Sequence, residues 1–240
     1  MTDELFREDA TLQTCEATVL AVDEAGIVLD RTVFYPQGGG QAGDAGELVS
    51  ADGHRVSIVD VRKHKDRAGD IAHVPAADAP SLRVGDRVTA RIDTARRLAH
   101  MRFHTATHLL CALIPYPVDG CSITAGYARL DFHTNEPLDK EALNAGLARL
   151  VAGAHPVRHR WISEAELDAN PQLVRSMSVQ PPRGLGRVRV LEIEGVDLQP
   201  CGGTHVANTA EVGAVVVTKI EKKSAMTRRV VLGFAPPASA

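Results

Sequence analysis

The chain has 240 residues, room for one large domain or two modest ones, and its 44% hydrophobic and 24% charged content is that of a soluble globular protein. No apolar run reaches about 18 residues, so no membrane span is expected. The net charge of −3 argues against a generally cationic DNA-coating protein, yet leaves room for a local basic patch.

The four cysteines, Cys15, Cys111, Cys121 and Cys201, follow no regular spacing that would suggest a disulfide framework. The acidic, polar stretch MTDELFRED is unlike a signal peptide. A reducing, cytoplasmic setting is therefore expected, with thiols free or metal-bound.

Residues 1–92 read as mostly β. Segments 15–20 and 26–29 are β-prone and separated by the turn former Asp23. Residues 33–35 lead into a glycine-dense stretch, YPQGGGQAGDAG (35–46). Segments 47–49 and 56–61 alternate in polarity and flank Asp52-Gly53, a hairpin signal. Segment 83–92 carries Val84, Val88, Ala90 and Ile92 around a Gly-Asp turn. Many short strands with turns between them predict a small barrel or compact sheet domain.

A boundary falls near Asp93, where Asp93 or Thr94 can cap a helix over 97–113 that is stopped by Pro115 and Pro117. Beyond it, 122–126 and 127–132 read as a hairpin, 137–151 as a helix and 157–162 as a strand. Ser163 and Glu166 form a capping box opening a short helix to Asp168. Strands are predicted at 186–193, 213–220 and 228–234, with a disordered tail, APPASA (235–240). The mixed, non-alternating order points to an α+β fold, with domains at 1–92 and 93–240.

The helix places His100, His104 and His108 at i, i+4, i+8, on one face. Far downstream, PCGGTHV (200–206) repeats the four-residue spacing with Cys201 and His205. His104 and His108 from the helix with Cys201 and His205 from the turn make a complete ligand set for one zinc ion, and a thiolate beside imidazoles suits zinc better than magnesium or calcium. A purely structural zinc is the alternative, although paired-cysteine knuckles are missing. His100, a turn earlier, reads as a neighbour of the site or as basic surface. Thr105 stands where a zinc protease would carry its glutamate, so that activity is not expected.

HTATHLL (104–110) followed by CGGTHV (201–206) resembles the editing domain of alanyl-tRNA synthetase, and more closely the free-standing alanyl-tRNA editing proteins of the AlaX type. Several other segments agree in order. FYPQGGGQAGDAG (34–46) resembles the family's glycine-rich segment, with Gln37 where Glu is usual. RLDF (129–132), GRVRVLEIEGVDLQPCGGTHV (186–206) and TAEVGAVVVTKIEKK (209–223) resemble the strands around the ligand turn. The likeness spans about residues 10–234 and is closest to the medium-sized members.

The resemblance implies a small N-terminal β-barrel followed by an α+β editing domain of the threonyl/alanyl-tRNA synthetase type. It implies hydrolysis, in trans, of mischarged tRNA(Ala), chiefly Ser-tRNA(Ala) and also Gly-tRNA(Ala), at zinc ligands His104, His108, Cys201 and His205. The partner is then the acceptor end of tRNA(Ala), with no DNA and no ATP expected, since no Gly-Lys-Ser/Thr follows the glycines. Thr105, Gln37 and Gln41 are candidate catalytic groups. Gly38, Gly39, Gly40, Ser122, Thr124 and Thr204 are candidates for substrate binding, with Asp119, Ser122 and Thr124 each able to stand for the serine-sensing threonine of some members. Arg97, Arg102, Lys219, Lys222, Lys223, Arg228 and Arg229 are candidate RNA contacts. Two readings of other classes remain: a tRNA-binding module with a structural zinc and no turnover, and a zinc hydrolase of a small ester or amide.

Overall fold

Three of the longer strands in the first part of the chain alternate buried and exposed side chains and must bury one face each, and the chain does so by closing a six-stranded sheet on itself. In the computed structural model, which describes residues 1–177, 180–181, 184 and 186–236, β1 (Asp3–Glu4) is followed by β2 (Thr14–Asp23), β3 (Gly26–Leu29), β4 (Arg31–Thr32), β5 (Gly46–Ser50), β6 (Arg55–Lys63), β7 (Ile71–Pro75) and β8 (Arg87–Ile92). Strands β2-β3-β7-β6-β5-β8 form a closed antiparallel barrel, while β1 and β4 make a short parallel pair. The barrel core holds Val19, Leu29, Phe34, Leu48, Val56, Ile58, Val61, Ile71, Val88 and Ala90.

The Asp52-Gly53 hairpin forms as expected, with Leu48 opposite Val56. Segment 83–92 differs: only Arg87–Ile92 is strand, because Gly85 turns the chain at φ 92° and leaves Val84 exposed. Residues 33–35 are buried loop rather than strand. Strand β7, IAHVP, was not anticipated, because it is short, holds a histidine and ends in proline, yet it joins β3 to β6 and completes the barrel.

An ion pair and a histidine are among the polar groups buried in this part of the chain. Arg97 donates to Asp44, to the carbonyl of Ala10 (2.7 Å) and to that of Val33 (2.6 Å), and it is 3% exposed. Removing either partner of this ion pair leaves an uncompensated buried charge, a cost of about 3–5 kcal/mol. The expected RNA contact at Arg97 is thereby corrected: its guanidinium is spent inside the fold.

His73 is also fully buried. Its Nδ1–H donates to the Ile27 carbonyl (2.9 Å), and its Nε2 accepts from the Thr32 hydroxyl (2.8 Å).

Helix α1 (Thr94–Leu113) starts where Asp93 accepts a hydrogen bond from the Arg96 N–H (3.0 Å). It is followed by β9 (Val118–Ile123), β10 (Ala128–His133), α2 (Lys140–Ala152), β11 (Val157–Ser163), α3 (Glu164–Ala169), β12 (Arg187–Ile193), β13 (Asp197–Pro200), β14 (Val215–Ser224) and β15 (Thr227–Phe234). The strands make a four-stranded sheet, β14-β15-β10-β9, and a three-stranded sheet, β11-β12-β13. The expected hairpin begins earlier than the sequence suggested, at Val118. Ser163 caps α3 by accepting from Glu166 N. Strand β13 was not anticipated. In the expected tail, residues 237–240 lie outside the described residues.

Contacts divide the chain into Met1–Gly38 with Ala42–Leu98, and Gly39–Gln41 with Ala99–Ala240. The barrel and the mixed second unit together give the α+β architecture expected from the sequence.

Burial pushes the pKa of His73 down to about 4, against the Ile27 carbonyl, which raises it. Between about 6.5 and about 4 the unfolded chain binds up to one proton more than the folded chain. Stability from this group is complete above that window and falls as pH falls through it, by about 3 kcal/mol in all. Urea unfolding at pH 7, 5.5 and 4.5 is expected to show this loss in the wild type and less of it in His73→Gln. Equal pH dependence in the two proteins would contradict it.

Candidate metal centre

Helix α1 is buried on all sides from Phe103 to Cys111, so its histidines cannot serve as solvated surface groups. His104 and His108 lie one turn apart on it. After β13 the chain turns through Cys201–His205 and brings a thiol and a third imidazole to the same point. The ligand-capable atoms of His104, His108, Cys201 and His205 all lie within 4.8 Å of one another, and the four residues could hold a metal ion. Cys201 Sγ is 3.5 Å from His104 Nε2 and 3.2 Å from His205 Nε2.

Each imidazole is fixed from behind. His104 Nδ1–H donates to Gln41 Oε1 (2.8 Å), His108 Nδ1–H to Asp197 Oδ2 (2.8 Å) and His205 Nδ1–H to Thr105 Oγ1 (3.2 Å). With Nδ1 occupied, Nε2 is the nitrogen left to face the cluster. Gln41 is itself held, since its Oε1 accepts from Thr204 N (3.1 Å) and its Nε2 donates to Thr204 Oγ1 (2.9 Å). Asp197 accepts from Gln199 Nε2 at both oxygens (2.9 Å each). Arg189 donates to the carbonyls of Cys201 (2.9 Å) and Gly203 (3.2 Å), which shapes the ligand turn.

Two glycines make the approach possible. A Cβ on Gly203 would lie 2.2 Å from His104 Cε1 and 2.9 Å from Gln41 Oε1. Gly40 sits at φ 86°, and a Cβ there would come within 3.0 Å of Cys121 Sγ. Its carbonyl accepts from Ile123 N (2.8 Å), so residues 40 and 41 run beside β9 and carry Gln41 to His104.

The electrostatics match a cation site. Burial alone would raise the Cys201 thiol, but the imidazoles of His104 and His205 hold it well below its usual value. Burial alone would depress His108, yet its hydrogen bonds to Asp197 and Cys201 push it up to about 10. Burial, followed by the charge of His104, takes His205 down to about 3. A thiol pushed toward thiolate beside imidazoles is a donor set in which a metal ion would take the place of a proton.

The remaining expected residues fall elsewhere. Thr105, Gln41 and Thr204 are fully buried, Thr105 against the His205 ring and Gln41 and Thr204 against each other. Gln37 is exposed, and its N–H bonds the Val61 carbonyl. The carbonyl of Gly38 accepts from the Tyr35 hydroxyl, and Gly39 is exposed. Thr124 spends its hydroxyl on the β9–β10 turn, donating to the Tyr127 carbonyl (3.0 Å), while Ser122 is half-buried on β9. Asp119 takes the Thr227 hydroxyl and faces His133. His100 is buried, which corrects its reading as basic surface.

Among the expected RNA contacts, Arg102 donates to the Val212 carbonyl (2.8 Å) and lies over Phe234. Arg228 donates to the carbonyls of Ser224, Ala225 and Asn135, and Arg229 pairs with Asp131 (2.7 Å). Lys219 pairs with Glu221 (2.6 Å), and Lys222 and Lys223 are exposed. The residues that sequence reading missed are Asp197, Gln199 and Arg189. The spacing D-x-Q-x-C was the signal for Asp197 and Gln199, because alternate residues of a strand share a face, and no local pattern marks Arg189.

The family described as the threonyl and alanyl tRNA synthetase second additional domain matches residues 188–231, and that described as tRNA synthetases class II (A) matches residues 7–96. The chain is similar to the alanyl-tRNA editing protein AlaX-M of Methanosarcina barkeri, with 37% identity over 95% of this chain and 97% of that protein. It is also similar to the protein of the same name from Saccharolobus solfataricus, with 34% identity over 96% of this chain and 98% of that protein. It is 35% identical to the alanine–tRNA ligase of Metallosphaera sedula over 92% of this chain but only 25% of that longer protein.

Asp197→Ala is expected to weaken metal binding about 10- to 100-fold, read from competition with a chelator, because His108 loses the acceptor that orients it. Unchanged metal affinity in a folded variant would show that the carboxylate does not orient the ring.

Proposed function

This chain belongs to the alanyl-tRNA editing proteins of the AlaX-M type, and we propose that it is a zinc-dependent hydrolase acting in trans on mischarged tRNA(Ala). Membership supports alanyl-tRNA editing, a hydrolase role and tRNA binding. The proposal adds the substrates, chiefly Ser-tRNA(Ala) and also Gly-tRNA(Ala), the acceptor end as the bound part, cytoplasmic action, and one zinc ion on His104, His108, Cys201 and His205. It also takes 1–92 as an N-terminal β-barrel domain with a glycine-rich loop and 93–240 as the zinc-binding editing domain. Among the described residues no helix is long and apolar enough to cross a membrane.

The observation that carries the reading is the convergence of three nitrogens and one sulfur. Bonds of about 2.0–2.1 Å to nitrogen and about 2.3 Å to sulfur space tetrahedral donors about 3.3–3.6 Å apart. Around Cys201 Sγ, the 3.5 Å separation from His104 Nε2 fits that spacing and the 3.2 Å separation from His205 Nε2 is slightly shorter. A thiolate in the set favours zinc over magnesium or calcium.

The bond to be cut is the ester between the amino acid and the terminal ribose, and water supplies the elements of the released acid and the freed hydroxyl. Zinc bound here supplies Lewis-acid polarisation. The chain's own part is to orient. Gln41, Asp197 and Thr105 are assigned as positioning residues that hold His104, His108 and His205, in place of direct roles for Thr105 and Gln41. The carboxylate of Asp197 is occupied by His108 and Gln199, so it is not assigned as a base. Gly40 lets the backbone of the glycine-rich stretch approach closely, and Thr204 fixes Gln41.

One observation favours a second reading. Four protein donors make a closed set, the arrangement of structural zinc, whereas catalytic zinc keeps a position open. A tRNA-binding module with structural zinc would lose its fold on chelation and release no amino acid.

A deacylation panel of Ser-, Gly- and Ala-tRNA(Ala) beside Ser-tRNA(Ser), with zinc measured on the same sample, separates the two. Serine release from Ser-tRNA(Ala) is expected at about one zinc per chain, with His104→Ala/His108→Ala losing both zinc and at least 100-fold in rate. Full activity in a zinc-free double variant would refute the metal role, and no release from any substrate would favour the binding module.

A further inference from the structure

The chain's single tryptophan lies on the sheet that carries the ligand turn. Trp161 is on β11, the outer strand of β11-β12-β13, and is 37% exposed. The Arg187 guanidinium lies 4.4 Å from its ring centroid. Arg187 is exposed and makes no ion pair among the described residues.

The strand register ties this pair to the metal centre. Trp161 stands opposite Arg189 on β12. Val190 stands opposite Pro200, and Cys201 N donates to the Arg189 carbonyl (3.1 Å), which carries the register one residue on. Trp161, Arg189 and Cys201 therefore form one cross-strand row on one face. Two strand spacings put the Trp161 and Cys201 backbones about 10 Å apart. Arg189, holding the carbonyls of Cys201 and Gly203, fixes the interval between them.

Edge protection does not require an aromatic ring here. Arg158 and Arg160, on the opposite face of β11, already supply charge to the edge and are matched by Glu194 and by Glu166 and Glu192. The Trp161 face instead offers a flat ring, an unmatched cation and the exposed His159. An aromatic ring with an arginine is how single-stranded RNA is held: a base stacks on the planar groups and the guanidinium meets a phosphate.

We propose that Trp161 and Arg187 form a stacking platform for an unpaired base of the tRNA 3′ end, one cross-strand row from the cluster where the ester is cut. This rests on the editing reading above.

Trp161 reports on itself by fluorescence. The probes are an RNA hairpin ending in an unpaired 3′ CCA and the same hairpin with a blunt end, each titrated into the full chain with its zinc. Quenching is expected with the CCA-ended hairpin alone. Trp161→Leu and Arg187→Gln are each expected to weaken binding of that hairpin about tenfold, measured by anisotropy of labelled RNA, with zinc content unchanged and Trp161→Phe restoring much of the affinity. For Ser-tRNA(Ala), Trp161→Leu is expected to raise KM while kcat stays near wild type.

Saturable RNA binding with no quenching, or both variants binding as wild type, would overturn the platform. So would concentration-dependent quenching without RNA, which would make a second copy of the chain the occupant. Failure of the editing reading shows separately, as no serine release by the wild type, a readout on which the fluorescence titration does not depend.

Discussion

Three imidazoles can share one cation only if each turns an unprotonated ring nitrogen inward, and a histidine ring left to itself has no reason to do so. Here the constraint is met by three unlike acceptors: an amide oxygen on Gln41, a carboxylate on Asp197 and a hydroxyl on Thr105. Each takes an Nδ1 proton, and each is fastened by something further out, as Thr204 fastens Gln41 and Gln199 fastens Asp197. Ring orientation is thus settled by hydrogen bonds within the protein, and Cys201, held well below its usual pKa, would supply negative charge to a bound cation.

The backbone around the cluster follows from the same demand. Gln41 reaches His104 because residues 40 and 41 run alongside β9, which Gly40 permits at a left-handed φ beside Cys121. The ligand turn reaches it only because Gly203 has no Cβ where the His104 ring lies. The glycine-rich stretch therefore has a structural task at the site. It delivers a hydrogen-bond acceptor, a role distinct from cradling a phosphate with its N–H groups. Within the first unit, the buried Arg97–Asp44 pair has a comparable function, tying the start of α1 to the loop after the glycines.

What could be read in the sequence was what is local. Four-residue spacing along a helix brought out His104 and His108, and the same spacing around two glycines brought out Cys201 and His205. The Asp52-Gly53 turn, the strand at Gly26–Leu29 and the Ser163 cap likewise depend on neighbours a few residues apart. The outer acceptors carry no such mark. Gln41 lies 63 residues from His104, and Asp197 lies 89 from His108, so only the fold pairs them. Arg97 misled for the same reason, since a cation next to a site helix looks solvated until a distant aspartate claims it. Strand β7 was hidden by its brevity and its proline, and its place is set by the need to join β3 to β6.

X-ray absorption at the zinc edge of the protein as isolated tests most directly whether these orientations serve one metal. The account predicts a four-coordinate centre with one sulfur at about 2.3 Å and three nitrogens at about 2.0–2.1 Å. A six-coordinate, oxygen-rich shell, or one without sulfur, would contradict it.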